Sequence, residues 1–179
     1  MLISQLVVMC LVSGKQPQSF IEIGDAVIGT GTLPALEANI GRGESVVRDE
    51  ELHNDGWTYW KIRGRKDEML FVYWEPANPP SKRTITRITI ESFRNKSDRS
   101  ASAVDPKLLG YWGKVQLGTS PSILKKRLTS LGAPKVSNAK EIEWRTRGLT
   151  ITAEFSHEKL FSIAVDSIYL GLAQSMPMQ

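Results

Sequence analysis

Cysteine and histidine are nearly missing from this 179-residue chain, which holds only Cys10, His53 and His157. One thiol cannot close an internal disulfide, and two histidines give little from which to build a zinc cluster. A strong excess of one charge sign is also lacking. Twenty-three Lys+Arg face 19 Asp+Glu, and the resulting +4 is too mild to mark a nucleic-acid protein. Catalytic signatures are equally sparse. No Gly-rich phosphate loop ends in Lys-Ser/Thr, and neither histidine accompanies a nucleophile elbow. Gly29-Thr30-Gly31 opens like a dinucleotide fingerprint, but Pro34 stands where the third glycine belongs and no apolar strand precedes it. The acids show no paired spacing of the glycosidase kind. The expectation is a protein without enzymatic activity, cofactor or metal.

What is present describes a globular chain. Apolar residues make up 41% and charged residues 23%, and a chain of this length buries about 70% of its unfolded surface. Met1 to Gly14 carries no charged side chain, yet is too short to span a bilayer as a helix. Its apolar body and the small residues Ser13 and Gly14 are those of a signal peptide, although no Lys or Arg opens it. An edge strand is the alternative. A lipid-attached Cys10 is a third reading, opposed by Met9 at the position where a small residue is required. Residues 1–14 are therefore expected to be a leader and the mature protein to be secreted or periplasmic, with membrane contact only through that leader. Residues 95–104, small, polar and charged, read as a linker, and 171–179 as a disordered tail.

The linker separates two similar parts, 15–94 and 105–170. Thr32, Pro34 and Gly41 punctuate a short helix whose Leu33, Leu36 and Ile40 share a face. Thr119 or Ser120, with Pro121 and Gly132, does the same for Ile123, Leu124, Leu128 and Leu131. Tyr59-Trp60-Lys61-Ile62-Arg63-Gly64 aligns with Glu143-Trp144-Arg145-Thr146-Arg147-Gly148, and two apolar strands follow each glycine: Met69–Trp74 and Ile85–Ile90, then Leu149–Phe155 and Leu160–Val165. The expected fold class is α+β: two tandem repeats, each a helical segment plus a three- to four-stranded antiparallel sheet, joined into one curved sheet with helices on one face.

The run Leu108 to Ser120 (LLGYWGKVQLGTS), with Leu124 and Leu131-Gly132-Ala133-Pro134 after it, resembles the opening of a repeat of the beta-lactamase inhibitory protein type. The same unit, a helix pair plus sheet, occurs singly in BamE/SmpA outer-membrane lipoproteins. The resemblance spans about residues 20–168 and is weak over Ser19–Gly31. It implies a curved sheet whose concave face grips a partner protein. This chain departs from such inhibitors in lacking a disulfide in each repeat.

Strand alternation sorts the tryptophan strands. Trp60, Ile62, Ile142 and Trp144 belong to the inner face. Trp57, Tyr59, Lys61, Arg63, Arg145 and Arg147 belong to the other, to which neighbouring strands offer Phe71, Tyr73 and Arg87, although alternation alone leaves the phase of Met69–Trp74 open. Aromatic and Arg side chains concentrate energy at interfaces, so these nine residues form the candidate partner-binding set. The bland alternative is a row of solvated, cross-strand-paired charges. Asp49-Glu50-Glu51, near His53 and Asp55, is a further acidic loop. The expected activity is that of a monomeric protein-binding module, an inhibitor or envelope scaffold. A nucleic-acid-binding sheet using the same basic and aromatic face is the alternative, disfavoured by the modest charge.

Overall fold

The computed structural model describes residues 22–23, 26–47, 56–75, 80–92, 101–146 and 148–167. The expected leader, tail, Cys10, His53, acidic loop at 49–51 and Arg147 lie outside them.

Strands dominate the molecule. β1 (Glu22–Ile23) and β2 (Ala26–Val27) form a small ribbon ahead of helix α1 (Leu33–Ile40). Then come β3 (Glu44–Val47), β4 (Gly56–Ile62), β5 (Glu68–Trp74), β6 (Ile85–Ser92) and the short β7 (Ala103–Val104). Helix α2 (Pro121–Arg127) precedes β8 (Val136–Ser137), β9 (Glu141–Thr146), β10 (Leu149–Ser156) and β11 (Lys159–Ser167). The main sheet runs β3-β4-β5-β6-β11-β10-β9-β8, with β7 added in parallel to the end of β4. Two antiparallel meanders thus meet at the β6–β11 seam, where Ile88 pairs with Val165 and Ile90 with Ile163.

The expected α+β class, with a helical layer over one face, is corrected here. Among the described residues there are two α-helices, of eight and seven residues, beside a nine-stranded sheet that is antiparallel except at β7. The reason is length. Proline in the first turn and a terminator soon afterwards leave each helix about 12 Å long, whereas eight strands side by side span roughly 34 Å. Two such helices cannot roof the sheet. Much of the inner face is covered instead by 3-10 turns at Pro106–Leu109 and Trp112–Lys114, which contribute Leu109 and Trp112 to the core.

The core cluster joins these side chains, and Leu33, Leu36, Ile40 and Leu124 of the helices, to the inward-facing strand residues. Trp60 and Trp144, each three strands from the seam and both 1% exposed, lie on this face. Ile123, expected on the apolar side of α2, is 46% exposed. The helix ends at Arg127, and Leu131 follows on a separate 3-10 turn. Two glycines admit tryptophan rings against the backbone: a Cβ at Gly43 would stand 2.5 Å from Trp60, and one at Gly56 would stand 2.4 Å from Trp74. The Trp74 indole donates to Thr58 Oγ1 at 3.0 Å, and Thr58 in turn bonds Ser45 Oγ at 2.9 Å. The segment read as a linker ends inside the fold. Ala101 and Val104 are buried, and Lys61 N donates to Ser102 O.

Candidate functional site

The face opposite the core is built by register. Trp57 of β4 stands across from Tyr73 of β5, and Tyr73 from Arg87 of β6. Tyr59 stands across from Phe71, and Phe71 from Thr89. The rings follow the register: Trp57 and Tyr73 have centroids 6.2 Å apart, and Tyr59 and Phe71 5.8 Å apart, both tilted. The Arg87 guanidinium lies 5.6 Å from the Tyr73 ring centre. All four aromatic side chains are half-buried, while Trp60, Trp74, Trp112 and Trp144 are at most 2% exposed. The result is an aromatic patch over β4 and β5 with Arg87 at its border.

Toward the seam the face becomes small and tightly packed. Thr89, Ala164 and Ser162 are buried yet stand outside the core cluster. Beyond them β10 and β9 present Thr150, Thr152, Glu154, Arg145, Glu143 and Glu141.

The structure divides the nine predicted residues. Trp57, Tyr59, Lys61, Phe71, Tyr73 and Arg87 come together. Arg145 shares their face but sits five strands from β4, roughly 24 Å away. Arg63 does not join them, because β4 ends at Ile62 and the chain turns there. Its guanidinium faces Asp105 at 3.9 Å. Arg147 lies outside the described residues.

Like Arg63, Arg87 and Arg145 have carboxylate partners. Arg87 Nε lies 3.5 Å from Asp166 Oδ1 and donates to Thr89 Oγ1 at 3.2 Å. Arg145 Nε donates to Glu143 Oε1 at 2.6 Å. Burial pushes the Asp166 carboxyl above its ordinary value, and the Arg87 charge pulls it part of the way back. Read across the sheet, the face carries Glu44, Glu91, Glu141, Glu143, Glu154 and Asp166 against Lys61, Arg87, Arg145 and Lys159, the last opposite Ser156 at the β10–β11 turn. It is acidic on balance, although the whole chain is basic.

Sequence reasoning passed over a buried ion pair. In the β4–β5 turn, Arg65 Nη1 donates to Glu68 Oε2 at 3.1 Å, with the two side chains only 12% and 6% exposed. The same guanidinium donates to the carbonyls of Gly113 and Val115, and Glu68 Oε1 accepts from Leu117 N at 3.2 Å. Burial raises the Glu68 carboxyl above its ordinary value, opposed first by its bond to Arg65. The partners lie about fifty residues downstream, so no local signal announced them. Beside this pin is a cleft of about 590 Å³ bordered by Lys107, Tyr111 and Lys114, away from the aromatic patch.

Among the described residues no three His, Cys, Asp or Glu side chains are grouped to hold a metal ion. No helix among them is long and apolar enough to cross a membrane. No protein-family model and no curated protein matches the chain. Among solved structures it is similar to a DUF4309 family protein, YjgB, from Bacillus subtilis. That likeness has a TM-score of 0.39 and 14% identity over 79% of this chain and 81% of the other, a level that carries no functional argument.

Proposed function

We propose that the chain is an exported, non-enzymatic protein-binding module that docks its partner on the open face of the sheet. The observation that carries this reading is the pair of cross-strand stacks, Trp57–Tyr73 and Tyr59–Phe71, on the face turned away from the core. Large rings held by strand pairing have little conformational freedom left to lose, so burying them against a partner is favourable. The resemblance of Leu108–Ser120 to the beta-lactamase inhibitory protein type supports the same reading, as an inhibitor or a scaffold of the envelope. Nucleic acid is the weaker candidate, because Arg63, Arg87 and Arg145 already face carboxylates. An oligonucleotide would meet an acidic surface.

The test replaces Trp57, Tyr59 and Phe71 together by alanine and measures both partner capture and melting. The expected result is loss of capture with a melting temperature lowered by only a few degrees. Cooperative unfolding well below the parent's would mean that these rings hold the fold instead.

A further inference from the structure

The acids of the open face are arranged in a way that points to the chemistry of the partner. This step rests on the docking reading above. One lateral row crosses the sheet as Lys61, Met69, Glu91, Ser162, Glu154 and Glu141. Glu154 and Glu141 stand directly opposite each other on β10 and β9, a like-charge pairing that costs stability in a sheet. Serine separates Glu91 from Glu154, so nothing in the row between the three carboxylates offsets their charge. The row runs beside the aromatic patch on the same face.

We propose that the open face receives a protein segment carrying Lys or Arg side chains next to an apolar anchor. The anchor lies on Trp57, Tyr59, Phe71 and Tyr73. The cations reach across the small floor of Thr89, Ala164 and Ser162 to Glu91, Glu141 and Glu154. Charge complementarity selects this occupant over an acidic or neutral one. It also accounts for a like-charge pair kept at a structural cost, since a bound cation relieves the repulsion between Glu141 and Glu154.

The test uses the full chain and three synthetic peptides of equal length, alternating Phe with Arg, with Ser or with Glu. Emission from Trp57 reports binding, since the four tryptophans in the core are shielded, and Trp57→Phe identifies the signal. The Phe-Arg peptide should bind at least about tenfold more tightly than the Phe-Ser peptide, and its affinity should fall as NaCl is raised. Combining Glu91→Gln, Glu141→Gln and Glu154→Gln should weaken the Phe-Arg peptide about tenfold. The same variant should leave the Phe-Ser peptide unaffected and melt no lower than the parent. A merely structural role for these acids would give the opposite pattern, with a lower melt and all peptides weakened alike. If the Phe-Ser peptide binds as well as the Phe-Arg peptide, the charge inference is overturned while the aromatic docking face stands. If no peptide moves the Trp57 emission, both fall.

Discussion

Arg65 holds together parts of the chain that lie far apart in sequence. Its guanidinium bridges Glu68 on its own turn and the carbonyls of Gly113 and Val115, tying the first meander to the segment that precedes α2. Arg65→Met keeps much of the side-chain volume and removes the charge, leaving a buried carboxylate and two carbonyls without their donor. Breaking a buried pair in this way costs about 3–5 kcal/mol at neutral pH. The loss should depend on pH with a definite sign. Glu68 already has a raised value in the fold, so its contribution to stability is full below the unfolded value near 4.5 and is lost as pH rises through the folded value. Without Arg65 that folded value climbs further. Chemical denaturation of the variant and the parent should therefore show a smaller gap at pH 5 than at pH 7. An equal gap at both would mean that Glu68 does not ionise against Arg65. None of this was legible in the sequence, where Arg65 and Glu68 are two charges in a turn and their partners are backbone atoms.

At the scale of elements, the hairpin between β10 and β11 turns on His157 and Glu158, which have φ of 51° and 59°. Two left-handed residues in a two-residue loop form the primed turn that suits strand twist, and glycine is favoured there. Glu158→Gly should remove about 1 kcal/mol of backbone strain, so the melting temperature should rise. A fall would show that the Glu158 side chain holds the turn. His157 occupies this turn with Nδ1 3.1 Å from Ser156 Oγ. Strands were the most legible elements, because alternation and the aligned Trp60 and Trp144 fixed which side chains face inward. Helical content was the least legible. Apolar spacing and punctuation located α1 and α2, but spacing does not say how much of a sheet such short helices can cover. Phe71 and Tyr73 had no assigned phase until pairing with Tyr59 and Trp57 supplied it. The partners of Arg63, Arg87 and Arg145 likewise depend on turns and registers that the chain does not spell out locally.

At the scale of the whole molecule, two unlike surfaces lie on either side of one sheet. One side holds the core under short helices and 3-10 turns. The other shows aromatic rings over β4 and β5, a floor of small residues at the seam, and carboxylates beyond. The segregation of charge was hidden in the composition, since a net +4 chain gives no hint that one face is acidic. It emerges only when strands from both halves are laid side by side. The central claim is that the partner docks on this open face and not on the helical side, where Leu108 and Ile123 are exposed apolar side chains. Site-specific photo-cross-linking decides between them most directly, with a photoreactive residue placed in turn at positions 59, 71, 108 and 123 of the full chain in its native host. Partner adducts should form from 59 and 71 and be absent from 108 and 123. Adducts from 108 and 123 alone would put the partner on the opposite side and contradict the account.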